Sequence, residues 1–262
     1  MNSVYYAEHN VVDFSSMSTM NLINNWVSLK TNDKIDKIIQ DFSNLDDVRE
    51  IVVNAVYFKG DWANPFDKNQ TKMADFNGLA GSQYVNMMHT TASNIGYLDD
   101  DSFESVCLPY ANKRTVMVIM MPKEDQDILE FSQNLTYGQF RKTFNGANAT
   151  VDLSLPKFSI EASPFSIENT LSEMGFKLSN VDLSAIGINE RQSFSMFQCS
   201  KTDINEEGTE VAVATWNMGV TIDDDIPNTA INVKFNVNRP FLYFIVDKLS
   251  GAIILSGRVC SF

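Results

Sequence analysis

The side chains that do chemistry are few here, and their spacing builds no reaction centre. The only imidazoles are His9 and His89. A serine or cysteine nucleophile needs a base within hydrogen-bond reach. His9 lies near the start of the chain and His89 closes a Val-Asn-Met-Met strand edge, so both read as surface or edge residues. The chain carries no G-x-S-x-G elbow, no H-E-x-x-H, no P-loop and no G-x-G-x-x-G. Cys107, Cys199 and Cys260 are odd in number and widely spaced, which fits neither a disulfide framework nor a metal knuckle. They suit a reducing compartment, and Cys107, in an apolar setting, reads as a small buried hydrophobe. The triplets Asp99-Asp100-Asp101 and Asp223-Asp224-Asp225 lack the alternating spacing that wraps oxygens around calcium, so they read as solvated loops. Met87, Met88, Met117, Met120 and Met121 read as core filler. Neither a metal nor a cofactor is expected.

The 262 residues leave room for one large domain or two small ones. Hydrophobic residues make up 44% and charged residues 20%, an ordinary globular balance. The net charge of −13 excludes a general nucleic-acid binder and an anionic membrane surface, and it favours a basic partner. No apolar run is long enough to span a bilayer. No secretory leader is visible, which implies either an intracellular protein or a natural start that lies upstream.

The positioning elements follow from periodicity. Met17, Met20, Ile23, Trp26 and Val27, continuing through Ile35, Ile38 and Ile39, predict an amphipathic helix with a loose end at Thr31-Asn32-Asp33. Ile51 to Phe58 is a continuous apolar run, expected as a strand buried on both faces. Thr115 to Met121 is another, stopped by Pro122. Val151 to Leu155 alternates and resumes at Phe158 to Ile160, the period of a half-buried strand. Residues 164–176 predict a second helix, with Phe165, Ile167, Leu171 and Met174 on one side and Gly175 closing it. Val233 to Val237, Phe241 to Val246 and Ala252 to Val259 predict three strands, with a turn at Ser250-Gly251. The fold class is α+β with several sheets, in one domain.

One segment suits a change of place. Gly208 permits a backbone pivot after the acidic turn at Glu206-Glu207. Thr209 to Thr215 has short side chains, no proline and one charge, Glu210. Thr209, Val211, Val213 and Thr215 would share one strand face. Such a stretch can serve as an exposed loop or join a sheet, but on composition alone an ordinary strand and turn is the plainer reading.

Three segments are more specific: Asn54 to Trp62 with Pro65-Phe66, Asp203 to Thr215, and Phe235 to Ile245. Together they resemble serpins, and the third resembles the family's C-terminal signature. Val106 to Tyr110, Val118 to Pro122, Leu155 to Phe158, Leu171 to Phe176 and Leu255 to Val259 support the resemblance, in family order and across essentially the whole chain. It implies a serpin fold: a large mixed sheet, two further sheets, peripheral helices and an exposed reactive-centre loop. Residues 1–262 would be one partial domain, with the loop at about 207–231. Tyr5 to Phe14 resembles the strand after the family's fifth helix, so the N-terminal helical part is expected to be absent. One sheet face would then lose its cover and favour association.

The resemblance also implies a function. A serpin is a suicide substrate: a protease cleaves its loop, and the acyl-enzyme is trapped when the loop inserts into the large sheet. Such a chain is not an enzyme and needs no cofactor. Glu207 and Gly208 match the start of the hinge. Thr209 matches the first residue to enter the sheet, and Ala212 and Ala214 match the small run beyond. Val211 and Val213 depart from the usual alanines. Asn54 matches the residue under the sheet opening, and Gln198 stands where many members carry His. The family's loop spacing, counted forward from Glu206, gives a scissile bond between Ile222 and Asp223; counted back from Pro240 it gives Thr229. Ile222, Val220 or Met218 would suit an elastase- or chymotrypsin-like protease, and Asp223 leaves an Asp-specific one as an alternative. The family favours an extracellular setting, whereas the free cysteines leave a cytoplasmic one open. The rival readings are a non-inhibitory serpin-fold binding or structural protein, and an inactive fragment.

Overall fold

A computed structural model describes residues 8–14, 16–40, 50–176, 194–209 and 231–262. In chain order its elements are α1 (Met17–Lys30), β1 (Glu50–Tyr57), β2 (Gly60–Asp61), β3 (Lys72–Gly78), β4 (Gly81–Asp99), β5 (Phe103–Pro109) and β6 (Thr115–Pro122). There follow α2 (Ile128–Asn134), α3 (Tyr137–Lys142), β7 (Ala147–Pro156), β8 (Phe158–Ser166), α4 (Glu168–Glu173), β9 (Phe194–Ile204), β10 (Gly208–Thr209), β11 (Ile231–Asn236), β12 (Phe241–Asp247) and β13 (Ile253–Val259). They group into two compact units, Met1–Tyr57 with Ile160–Lys201, and Phe58–Ser159 with Thr202–Phe262.

In the first unit, the Ser16 side chain caps α1 by accepting the Ser18 N–H. The helix stops at Lys30 because Asn32 and Asp33 turn left-handed, with φ of 53° and 58°. The expected continuation through Ile39 is therefore corrected. Ile35, Ile38 and Ile39 fold back beneath α1 and join Val27 and Cys199 in a buried cluster. Asn24 holds them there. Its amide oxygen accepts the N–H groups of Ile38 and Ile39 at 2.9 and 3.0 Å, and its amide nitrogen donates to the Ile39 carbonyl at 2.9 Å.

β1 runs parallel to β9, from Glu50↔Phe194 to Tyr57↔Lys201. Ile51, Val53 and Ala55 pack on the α1 cluster. Val52, on the opposite face, is 37% exposed, so β1 is covered on one face and not on both as expected. The helix expected at 164–176 is also corrected. β8 continues as a strand to Ser166, α4 is only six residues long, and Met174 and Phe176 are exposed. Gly175 closes α4 with φ 92°, as its type predicts.

The second unit contains an eight-stranded sheet in the order β11-β7-β4-β5-β6-β12-β13, with β3 paired to β4. The three C-terminal strands fall on the runs read as strands from the sequence. The turn between β12 and β13 is tied by Asp247, which accepts from Leu249 N–H and the Ser250 hydroxyl. Arg114 grips the same carboxylate with two donors and, with those bonds, holds its pKa far below the usual range. β6 is buried along its whole length. β7 buries Val151, Leu153 and Leu155 and leaves Asp152 exposed, but Ser154, on the polar side of the alternation, is buried as well, so the strand is covered on both faces at this end.

His89 lies inside the long strand β4, not at a strand end; its Nδ1 shares a 2.9 Å hydrogen bond with the Ser154 hydroxyl of β7. The first acidic triplet is ion-paired rather than merely solvated: Lys123 meets Asp99, and Lys142 meets Asp100. The second triplet lies outside the described residues. Burial pushes the Cys107 thiol up to about 12, so it stays protonated at neutral pH, and the residue is half-buried rather than fully buried.

α2 and α3 cover one sheet face through Ile128, Phe131 and Phe140, packed on Phe103, Val116, Val118, Met120, Leu242 and Val246. Ser105 projects onto this face, since Phe103 and Cys107, two residues to either side, both pack there. Its hydroxyl is buried with no hydrogen-bond partner among the described residues. An orphaned buried hydroxyl costs about 1–3 kcal/mol. Ser105→Ala is therefore expected to leave stability unchanged or raise it by about 1 kcal/mol in denaturant titration; a loss of that size would show that the hydroxyl is satisfied.

Candidate functional site

Residues 205–209 form a reversal between β9 and β10, in which Ile204 pairs with Thr209. A buried chain reversal must satisfy every backbone polar group it contains. Here the carbonyls of Asn205 to Gly208 and the N–H groups of Asn205, Glu207 and Gly208 all have partners, and the Glu206 N–H faces its own carboxylate. Asn205 N–H donates to the Gly208 carbonyl at 3.0 Å. Asn205 Oδ1 accepts the N–H groups of Glu207 and Gly208 at 3.0 and 3.2 Å, an Asx-type turn. That frees the Asn205 carbonyl to accept the Trp62 indole N–H at 2.9 Å. The Glu206 and Glu207 carbonyls accept from the backbone of Phe66 and Trp62, each at 2.8 Å.

β10 also lies antiparallel to β2, with Gly208 opposite Asp61 and Thr209 opposite Gly60. The approach is too close for a side chain. A Cβ on Gly208 would stand 2.2 Å from the Gly60 carbonyl oxygen. The floor is aromatic: Trp62, 3% exposed, stacks on Tyr110 at 4.7 Å and 15°. Tyr110 OH shares a 2.7 Å hydrogen bond with the Thr209 hydroxyl, and both residues are fully buried. Burial pushes the Tyr110 hydroxyl well above its ordinary range, so it stays protonated.

The acidic pair is divided in role. Glu206 is 5% exposed. Burial opposes its charge, but its own backbone N–H, the Lys157 ammonium at 3.1 Å and the Thr71 hydroxyl at 2.9 Å outweigh that and hold the carboxyl below 4.5. Glu207 faces outward to Lys68.

Of the site residues expected from sequence, Glu207, Gly208 and Thr209 meet in this reversal. Asn54 and Gln198 are register partners in the β1–β9 pair, and neither side chain is hydrogen-bonded to another described residue. Val211, Ala212, Val213, Ala214, Ile222 and Asp223 lie outside the described residues. Sequence reading assigned no role to Asn205, Trp62, Thr71, Tyr110 or Lys157. Asn205, Trp62, Tyr110 and Lys157 stand in the motifs that carry the resemblance, which was the signal to follow; Thr71 does not.

A family model described as Serpin (serine protease inhibitor) matches residues 1–262. The chain is 33% identical to Serpin B11 of Mus musculus over 98% of its own length and 68% of that protein's. It is 32% identical to an uncharacterized serpin-like protein of Methanosarcina mazei over 91% of its length, and there it spans only 56% of the relative. Among solved structures it is similar to a tumour suppressing serpin, with a TM-score of 0.84 and 26% identity, covering 100% of this chain and 71% of that one.

Two substitutions test the reversal. Gly208→Ala is expected to cost about 2–4 kcal/mol in chemical denaturation, since Gly60 is backbone and cannot yield. Glu206, held below 4.5, contributes stability that is complete above its unfolded value and is lost as pH falls through the folded one. Glu206→Gln is expected to flatten the acid limb of the stability–pH curve below 4.5; an unchanged limb would exclude the pairing with Lys157.

Proposed function

The chain belongs to the serpin family, and from that premise we propose that it is a protease inhibitor acting as a suicide substrate, one serpin domain with residues 207–231 as its reactive-centre loop. The observation that carries this reading is the end of β10. Thr209 is buried and already antiparallel to β9, so a strand extended by the following residues begins inside the protein rather than at its surface.

The mechanism needs no catalytic group from the inhibitor. The protease's serine, or a cysteine, attacks a loop carbonyl, with Ile222–Asp223 as the proposed scissile bond. It forms an acyl-enzyme and releases the new amine end. The freed segment, from Thr209 through Val211, Ala212, Val213 and Ala214, then adds as a strand beside β9. Its backbone gains partners on both edges. The β1–β9 pair must part to admit it, which gives the Asn54 and Gln198 register pair its place as the opening point. Hydrolysis of the acyl-enzyme stalls when the protease is pulled and distorted. The uncleaved fold is then kinetically held.

An elastase- or chymotrypsin-like protease is the favoured partner, an Asp-specific one the alternative, and an extracellular setting fits the family. A non-inhibitory serpin-fold binding protein is the second reading, favoured by Val211, bulkier than the alanine usual in the hinge, and by the long acidic loop. A denaturing gel separates the two. The full-length protein is incubated with elastase, chymotrypsin, subtilisin, granzyme B and a caspase, and the products are mapped by mass spectrometry. The inhibitory reading expects a heat-stable covalent complex and a cut between Met218 and Thr229. Clean cleavage with no complex from any protease would overturn it.

A further inference from the structure

We infer that Asn205 is the positioning residue that sets the register in which the chain beyond Thr209 joins β9; this rests on the inhibitory reading above. In an ordinary two-residue hairpin loop, the N–H of Gly208 would return to the carbonyl of Asn205. Here the side-chain oxygen of Asn205 takes that N–H and the N–H of Glu207 as well. The displaced carbonyl is held by the buried indole of Trp62. The side chain therefore closes the turn at one length only and ties it to Trp62 and, through the Glu206 carbonyl, to Phe66.

Register decides what is buried. A strand continuing from the Ile204↔Thr209 pair carries Thr209, Val211 and Val213 on the face of fully buried Thr209. In that inserted strand Glu210, Ala212 and Ala214 would take the other face. A slip of one residue exchanges the faces and drives the Glu210 carboxylate inward. The slipped strand is unfavourable, insertion slows, and the acyl-enzyme has time to hydrolyse. Loss of the Asn205 side chain should thus shift the outcome from trapping to turnover without altering how fast the loop is cut.

The test compares the full-length protein with Asn205→Ala, Asn205→Ser and Asn205→Asp. Asp keeps the acceptor at the same reach, and Ser keeps a shorter, weaker one for the case in which the Ala variant does not fold. Amide exchange at Glu207 and Gly208 is measured together with the ratio of covalent complex to cleaved inhibitor and the rate of loop cleavage. Ala is expected to lower amide protection and the complex-to-cleaved ratio at least tenfold each, with the cleavage rate unchanged. Ser should fall between, and Asp should restore both. If the unaltered protein traps and the Ala or Ser variant traps equally well, the assignment to Asn205 fails while the inhibitory reading stands. The assignment likewise fails if Asp does not rescue. If the unaltered protein traps no protease and gains no heat stability on loop cleavage, the inhibitory reading fails and takes this inference with it.

Discussion

A peptide group taken out of water must find a partner, and a chain that doubles back inside a protein has to find several at once. Between Asn205 and Gly208 the supply comes from three sources: the turn's own backbone, one amide side chain, and the backbone and indole of the segment that follows β2. The rest of the site depends on that closure. Trp62 is fixed because its indole and its N–H are both committed to the turn. Tyr110 is fixed because it stacks on Trp62. Thr209 is fixed because Tyr110 holds its hydroxyl.

The charged shell around this core differs from it in kind. Lys157 is about half exposed at its side chain, whereas the Glu206 carboxylate it meets is almost fully covered. A pair of this form keeps one charge solvated and spares the protein the double desolvation of a buried salt bridge. Glu207 and Lys68, both more open, belong to the screened surface and add little. The tight packing lies beneath, where two glycines, Gly60 and Gly208, let two backbones approach with nothing between them.

The sequence made the outline of this molecule readable, and its failures have physical causes. Two short apolar runs on either side of the Ser250-Gly251 turn located β12 and β13, because runs of that length bounded by a turn are too short for helices. The end of α1 was misread because Ile35, Ile38 and Ile39 continue a helical spacing; what holds them is Asn24, which bonds 14 and 15 residues along the chain. The burial of β1 was overstated because apolar composition does not say how many faces are covered. Glu207, Gly208 and Thr209 were legible through family resemblance. The roles of Trp62, Tyr110 and Lys157 were not, since their hydrogen bonds to Asn205, Thr209 and Glu206 span 143, 99 and 49 residues and leave no local pattern.

The stacked pair of Trp62 and Tyr110 has an optical consequence. An indole sealed from water emits at shorter wavelength than a solvated one, and its yield depends on the ring and the acceptor against it. Trp62 has a phenol ring on one face and the turn's carbonyl at its nitrogen. A rearrangement of the hinge that withdraws the Asn205 carbonyl or shifts the Tyr110 ring changes one of these two neighbours. The fold therefore carries, in an unmodified tryptophan, its own gauge of whether the reversal between β9 and β10 is closed.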